Sequence, residues 1–168
     1  DYIMYQWIAT FCRNQKNIKF IIPKSFSTVF QVENSKILIL HGDSIKGGFA
    51  GIPFYGINRA VSYLRQTLQV AGQGIKEEIL FDAVMIGHFH TQVELDMGTG
   101  PLFVCGCFKG ADEYSFAKLH TASRPTQMLS FWHPEYGYIG KDIIYLDIFD
   151  DEKETFEDGL SSVWVNES

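Results

Sequence analysis

Ile37-Leu38-Ile39-Leu40-His41-Gly42-Asp43 and Ala83-Val84-Met85-Ile86-Gly87-His88-Phe89-His90 repeat one device: an apolar run of four that stops abruptly at histidine and glycine. A short, unbroken apolar run is expected of a strand covered on both faces. In open α/β sheets, ligands gather just beyond the carboxyl ends of such strands. Two neighbouring strands ending this way would bring three imidazoles to one rim. His88 and His90, two apart in extended backbone, can point to the same side, and Gly42 and Gly87 permit tight turns. Imidazole nitrogen suits zinc, iron and nickel and, with oxygen ligands added, manganese. One histidine after a strand is ordinarily a solvated loop residue; the doubled pattern is what points to a metal site at His41, His88 and His90.

Outward from these runs the chain alternates. A loop from Gly42 to Gly56 carries Gly47, Gly48, Gly51 and Pro53. It leads into a helix whose Ile57, Ala60, Val61, Leu64 and Leu68 follow helical spacing, with Arg59, Ser62, Arg65, Gln66 and Gln69 opposite and Gly72 as a stop. A short helical turn is expected around Ile75 to Leu80. Upstream, Tyr2 to Phe11 reads as a helix, and Asn17 to Ile22 and Thr28 to Val32 as strands. Downstream, Val93 to Leu95, Leu102 to Cys105, Gln127 to Trp132 and Tyr138 to Leu146 read as a run of antiparallel strands with glycine and proline turns. The chain opens at Asp1 inside a helical run that has no entry signal, so it reads as a piece of a longer protein.

Composition bounds the function. The 168 residues are 46% hydrophobic and 15% aromatic, which suits one domain with a genuine core. No apolar run reaches the ~20 residues of a membrane-spanning helix. Fourteen Lys and Arg against twenty Asp and Glu give a net charge of −6, which excludes a broad basic clamp on nucleic acid but not a nuclease whose metals handle the phosphate. Three cysteines, Cys12, Cys105 and Cys107, make a disulfide scaffold improbable and a reducing, cytoplasmic setting the expectation.

Ile39 to Asp43 and Met85 to His90 resemble the last two motif blocks of the calcineurin-like metallophosphoesterases. Phe108-Lys109-Gly110-Ala111-Asp112-Glu113-Tyr114-Ser115, Arg124 to Gln127 and His133 to Gly137 are similar to phage-encoded members and to the DNA-repair exonucleases of that superfamily. The resemblance covers about residues 17 to 147. It implies an α/β fold, a β-sandwich flanked by helices, and two divalent metal ions (Mn, Fe or Zn). His41 and His88 would bind the second ion and His90 the first. It also implies hydrolysis of phosphate esters, with phosphodiesters and DNA as candidate substrates, in a host cytoplasm.

The earlier family blocks, Asp-x-His, Gly-Asp-x-x-Asp and Gly-Asn-His, do not occur in this sequence. The expectation is therefore that residues 1–149 are the C-terminal half of a metallophosphoesterase domain lacking its N-terminal strands, followed by an acidic tail at 150–168. Such a half is expected to be inactive alone and competent with its missing half from the same or another chain; self-association is left open. Asp43, the one carboxylate in the motif, would orient an imidazole or a loop lysine. A different reading is a non-catalytic scaffold of the same fold; a third is an isolated three-histidine zinc site.

Lys46, Arg59, Lys109 and Tyr114 are candidates to hold the ester, though each also makes sense as an ordinary solvated side chain. Phe49, Phe54 and Tyr55 could stack on a base or tuck onto the core. Cys105-Gly106-Cys107 stands where phage relatives tend to have Asn-Gly-Ser and reads best as small residues finishing a strand. His120 and His133 lack a motif, and Trp7, Trp132 and Trp164 read as core or edge aromatics.

Overall fold

The computed structural model describes residues 2–46, 51–72, 80–110 and 123–149. Its elements are α1 (Tyr2–Phe11), β1 (Ser27–Val32), β2 (Ser35–Leu40), α2 (Phe54–Gly72), β3 (Ala83–Ile86), β4 (Val93–Asp96), β5 (Pro101–Val104), β6 (Thr126–His133) and β7 (Gly137–Tyr145), closed by a 3₁₀ turn at Leu146–Phe149. Five strands form a central mixed sheet in the order β1-β2-β3-β5-β4, and β6 and β7 form a separate two-stranded sheet. The fold is α/β, as the alternation of elements implies.

Period-2 alternation sorts each central strand onto two faces. Leu38 and Leu40 of β2, Val84 and Ile86 of β3 and Leu102 and Val104 of β5 bury against Ile57 and Val61 of α2, with Phe81 beneath. The opposite face offers Ile37, Ala83 and Phe103, which pack against Met128, Trp132 and Tyr138 of the two-stranded sheet. The three layers are therefore helix, mixed sheet and hairpin. Leu64 and Leu68 extend the same apolar stripe of α2, and the Arg65 guanidinium lies 4.3 Å from the centre of the Phe81 ring.

Three expectations need correction. Asn17 to Ile22 is not a strand: the segment is irregular, and Ile21 is 72% exposed. A strand must satisfy its backbone groups on a neighbour, and β1, at the edge of the central sheet, pairs only with β2. The downstream strands are not all antiparallel. β4 and β5 form an antiparallel pair, but β5 runs parallel to β3, so the central sheet continues past the histidine loop. Of the flanking helices, only α2 packs: α1 has no buried residue, with Ile3 84% and Phe11 79% exposed. The turn around Ile75, Phe49 and Tyr114, His120, Trp164 and the acidic tail lie outside the described residues.

Close approaches fix where the layers meet. A Cβ at Gly106 would sit 2.1 Å from Thr126 Oγ1 and 2.6 Å from its carbonyl oxygen, so the chain after β5 can pass the start of β6 only as glycine. This explains Cys105-Gly106-Cys107 as a packing feature, and burial pushes the Cys105 thiol pKa up. Glu94 of β4 crosses to the hairpin layer, pairing with the Lys141 ammonium and accepting the Tyr138 hydroxyl. Desolvation, then the Glu94 charge and that hydrogen bond, push the Tyr138 phenol up to about 12. The folded pKa lies above the ordinary value, so this contribution to stability is complete below pH ~10 and is lost as pH rises through about 12. A spectrophotometric titration should show a phenol ionising near pH 12, and Tyr138→Phe should remove that component.

Candidate metal centre

β2 and β3 are parallel neighbours registered from Ile37↔Ala83 to Leu40↔Ile86, so they end together and their following loops share one rim. The loops stay in contact: the Gly87 amide donates to the Leu40 carbonyl at 3.4 Å, and a Cβ at Gly87 would lie 3.6 Å from the His41 carbonyl oxygen. Gly42 has φ +105°, and a Cβ there would meet Ile86 Cγ2 at 2.7 Å. Glycine is required at 42 but not at 87, and the two loops meet with the His41 and His88 ring centroids 5.1 Å apart at 69°.

The loop after β3 is not extended. His88 has φ +64° and His90 φ +55°, both left-handed, with the Phe89 amide donating to the Gly87 carbonyl at 2.7 Å. Left-handed backbone in a residue other than glycine costs roughly 1–2 kcal/mol. Here it occurs twice within three residues. The extended geometry expected for His88 and His90 is thereby corrected: the turn, not strand alternation, sets where both side chains project.

His88 senses its neighbours. Desolvation, then the charge of His41, and last that of His90, lower its pKa, while the Asp43 carboxylate opposes them. The net direction is down, favouring the neutral imidazole with a free lone pair, which is the form that binds metal. His41, Asp43, His88 and His90 are all solvent-accessible at the rim. Among the described residues, no three His, Cys, Asp or Glu side chains are arranged to hold one ion. His41 and His88 carry donor atoms of the kind that borderline cations take.

Of the other candidates, Lys46 is exposed in the loop after the Gly42–Ile45 turn, and Arg59 is exposed on α2. Lys109 is exposed in the turn after β5, its amide donating to Cys107 Sγ at 3.4 Å. Sequence reasoning missed two residues that brace the loop. Phe89 sets its ring 5.2 Å from that of His88 and covers Gly42. Gln92 Oε1 accepts the Gly106 amide at 3.3 Å, tying the histidine loop to the chain after β5, while its buried Nε2 has no partner among the described residues. The aromatic enclosed between His88 and His90 was the signal available for Phe89; nothing in the sequence marks Gln92.

No family model matches the sequence, and no curated protein is similar to it. Among solved structures, the chain is similar to Vacuolar Protein Sorting 29 from Cryptosporidium parvum (TM-score 0.47, 12% identity, covering 84% of this chain and 76% of that one). It is also similar to a single mutant of Vps29 from Entamoeba histolytica (0.42, 15%, 77% and 65%). A third similar structure is a predicted phosphoesterase from Streptococcus pneumoniae (0.40, 14%, 78% and 60%). The chain thus spans less than two thirds of the length of the Entamoeba and Streptococcus proteins. Among the described residues, no helix is long and apolar enough to cross a membrane.

Proposed function

We propose that this chain supplies the C-terminal histidine ligands of a metal-dependent phosphoesterase acting on phosphodiesters, with DNA as a candidate substrate. The observation that carries the reading is the His88 ring set against that of His41 on adjoining parallel strand ends, in a turn where both His88 and His90 are left-handed. Strained backbone of this kind clusters at functional sites because the surrounding fold must hold it there.

In this reading His41 and His88 hold one divalent ion (Mn, Fe or Zn) and His90 contributes to a second. When bound, the cations supply an activated water and neutralise charge building on the phosphoryl oxygens. The chain's own residues do the rest. His88 stays neutral, Asp43 sets the charge beside it, Phe89 and Gln92 fix the loop, and Lys46, Arg59 and Lys109 offer positive charge to the ester. The bridging carboxylate comes from an N-terminal half, in this chain's longer form or another chain. Phage origin, an exonuclease mode and a cytoplasmic setting belong to the same reading. The exposed apolar helix α1 favours a second reading, a non-catalytic scaffold of the same fold that binds a partner.

Titration of the protein with Mn²⁺ or Zn²⁺, followed by the imidazole resonances, tests the proposal. His41 and His88 should respond together and elemental analysis should find bound ion; no metal-dependent response at either ring would overturn the ligand assignment, and hydrolysis of a phosphodiester by the metal-loaded protein separates the enzyme from a scaffold.

A further inference from the structure

A second concave feature lies at the other end of the same strands and is independent of the histidine site. Ser35, Asp82 and Pro101 stand where β2, β3 and β5 begin, whereas the histidines follow the ends of β2 and β3. The length of β2 puts the two rims roughly 17 Å apart. Between the central sheet and the turn joining β6 to β7 opens a cavity of about 430 Å³. Two carboxylates, Asp82 and Glu135, and three aromatic side chains, Trp132, Tyr136 and Tyr138, line it; no lysine, arginine or histidine does among the described residues.

Hydrogen bonds hold the turn and the strand starts that carry these groups. The amides of Glu135 and Tyr136 both donate to His133 Nδ1, at 3.1 and 3.3 Å, and the Tyr136 ring stacks on His133 at 4.7 Å. Asn34 Nδ2 donates to the Pro134 carbonyl at 2.8 Å, joining two turns 100 positions apart. The Asp82 carboxylate accepts the Lys36 amide at 2.7 Å, and Trp132 Nε1 donates to Ser130 Oγ at 2.9 Å. The backbone of these walls has little further freedom to lose when something binds.

We infer that this pocket binds a guanidinium group. Aromatic faces attract cations, and carboxylates pair with them. A guanidinium is planar, weakly hydrated and forked, so it can stack on a ring while donating to carboxylate oxygens; a compact, strongly hydrated ammonium gains less from the same walls. The volume falls in the range of small-molecule sites, and the chain's net charge of −6 favours the approach of a cation. The same chemistry could come from an arginine side chain of a partner or from a free small guanidine.

The test is ¹H–¹⁵N NMR of the full chain, following the Trp132 indole N–H. Agmatine and a capped arginine peptide are added in separate titrations, with n-butylamine as the ammonium control and N-butylurea as a neutral planar control. Saturable shifts with either guanidinium, stronger than with the amine and absent with the urea, are expected. Tighter binding of the peptide identifies a partner's arginine; tighter binding of agmatine identifies a small ligand. Glu135→Gln and Tyr136→Ala, both at exposed turn positions, should each weaken binding about tenfold while leaving the rest of the spectrum in place. No shift with either guanidinium, an equal response to the urea or the amine, or unchanged binding in Glu135→Gln would overturn the inference.

Discussion

On the ligand role proposed for it, His88→Gly should abolish metal-dependent hydrolysis and leave the fold as stable as before, or slightly more stable. Loss of a group that merely supports a metal ligand costs 10–100-fold in affinity or activity, so loss of a ligand should cost at least about a hundredfold in kcat/KM. The backbone effect runs the other way. His88 sits at φ +64°, where a side chain costs ~1–2 kcal/mol, while glycine adds back roughly 0.5–1 kcal/mol of unfolded-state entropy. Manganese-stimulated hydrolysis of bis-p-nitrophenyl phosphate gives the first readout. Urea denaturation gives the second. Full activity in His88→Gly refutes the ligand role; a large loss of stability shows that the ring was structural.

Phe103→Ala should be the most damaging single truncation on the hairpin side of the sheet. Phe103 has no exposed surface, its ring meets that of Tyr138 edge-on at 4.9 Å, and with Ile37 and Ala83 it is what the central sheet buries against the hairpin. A buried phenylalanine cut to alanine costs ~3–5 kcal/mol, against a whole-domain stability of ~5–15 kcal/mol. The midpoint of urea unfolding should fall accordingly. Ile139→Ala, on the outer face of β7 and well exposed, should shift it by no more than ~0.5 kcal/mol. Equal effects would mean that the two layers do not share a core.

The parts of the fold that local pattern controls were legible in the residues. Ala83 to Ile86 forms the strand its apolar run implies, and α2 buries the stripe marked by Ile57, Val61, Leu64 and Leu68. Parallel pairing of β2 with β3 follows from two buried-type strands joined through a helix. The errors arose where a neighbour decides the outcome. Asn17 to Ile22 has the composition of a strand and lacks a partner. Leu102 to Cys105 looks like one more antiparallel strand, yet β5 pairs parallel with β3 because the β4–β5 hairpin docks through its second member. At the rim, the approach of His41 to His88 was readable from two motifs ending adjacent strands. The left-handed turn at His88 and His90 was not, because non-glycine residues enter that region rarely and no residue pattern in the segment marks it. The Gln92 brace depends on a glycine fourteen positions away, which no periodicity reveals.

The ordering of strands also bears on how quickly the chain can find its native state. Lys36 and Asp82, which adjoin across β2 and β3, are 46 positions apart, so closing that crossover costs entropy before any contact repays it. The β6–β7 hairpin turns within three residues and can assemble in ~1–10 μs, long before the sheet it must cover. Until β2 and β3 meet, the inner face of the hairpin, with Met128 and Trp132, has nothing native to dry against. Refolding should therefore be slow and sensitive to protein concentration, with collapse onto neighbouring molecules competing against the crossover.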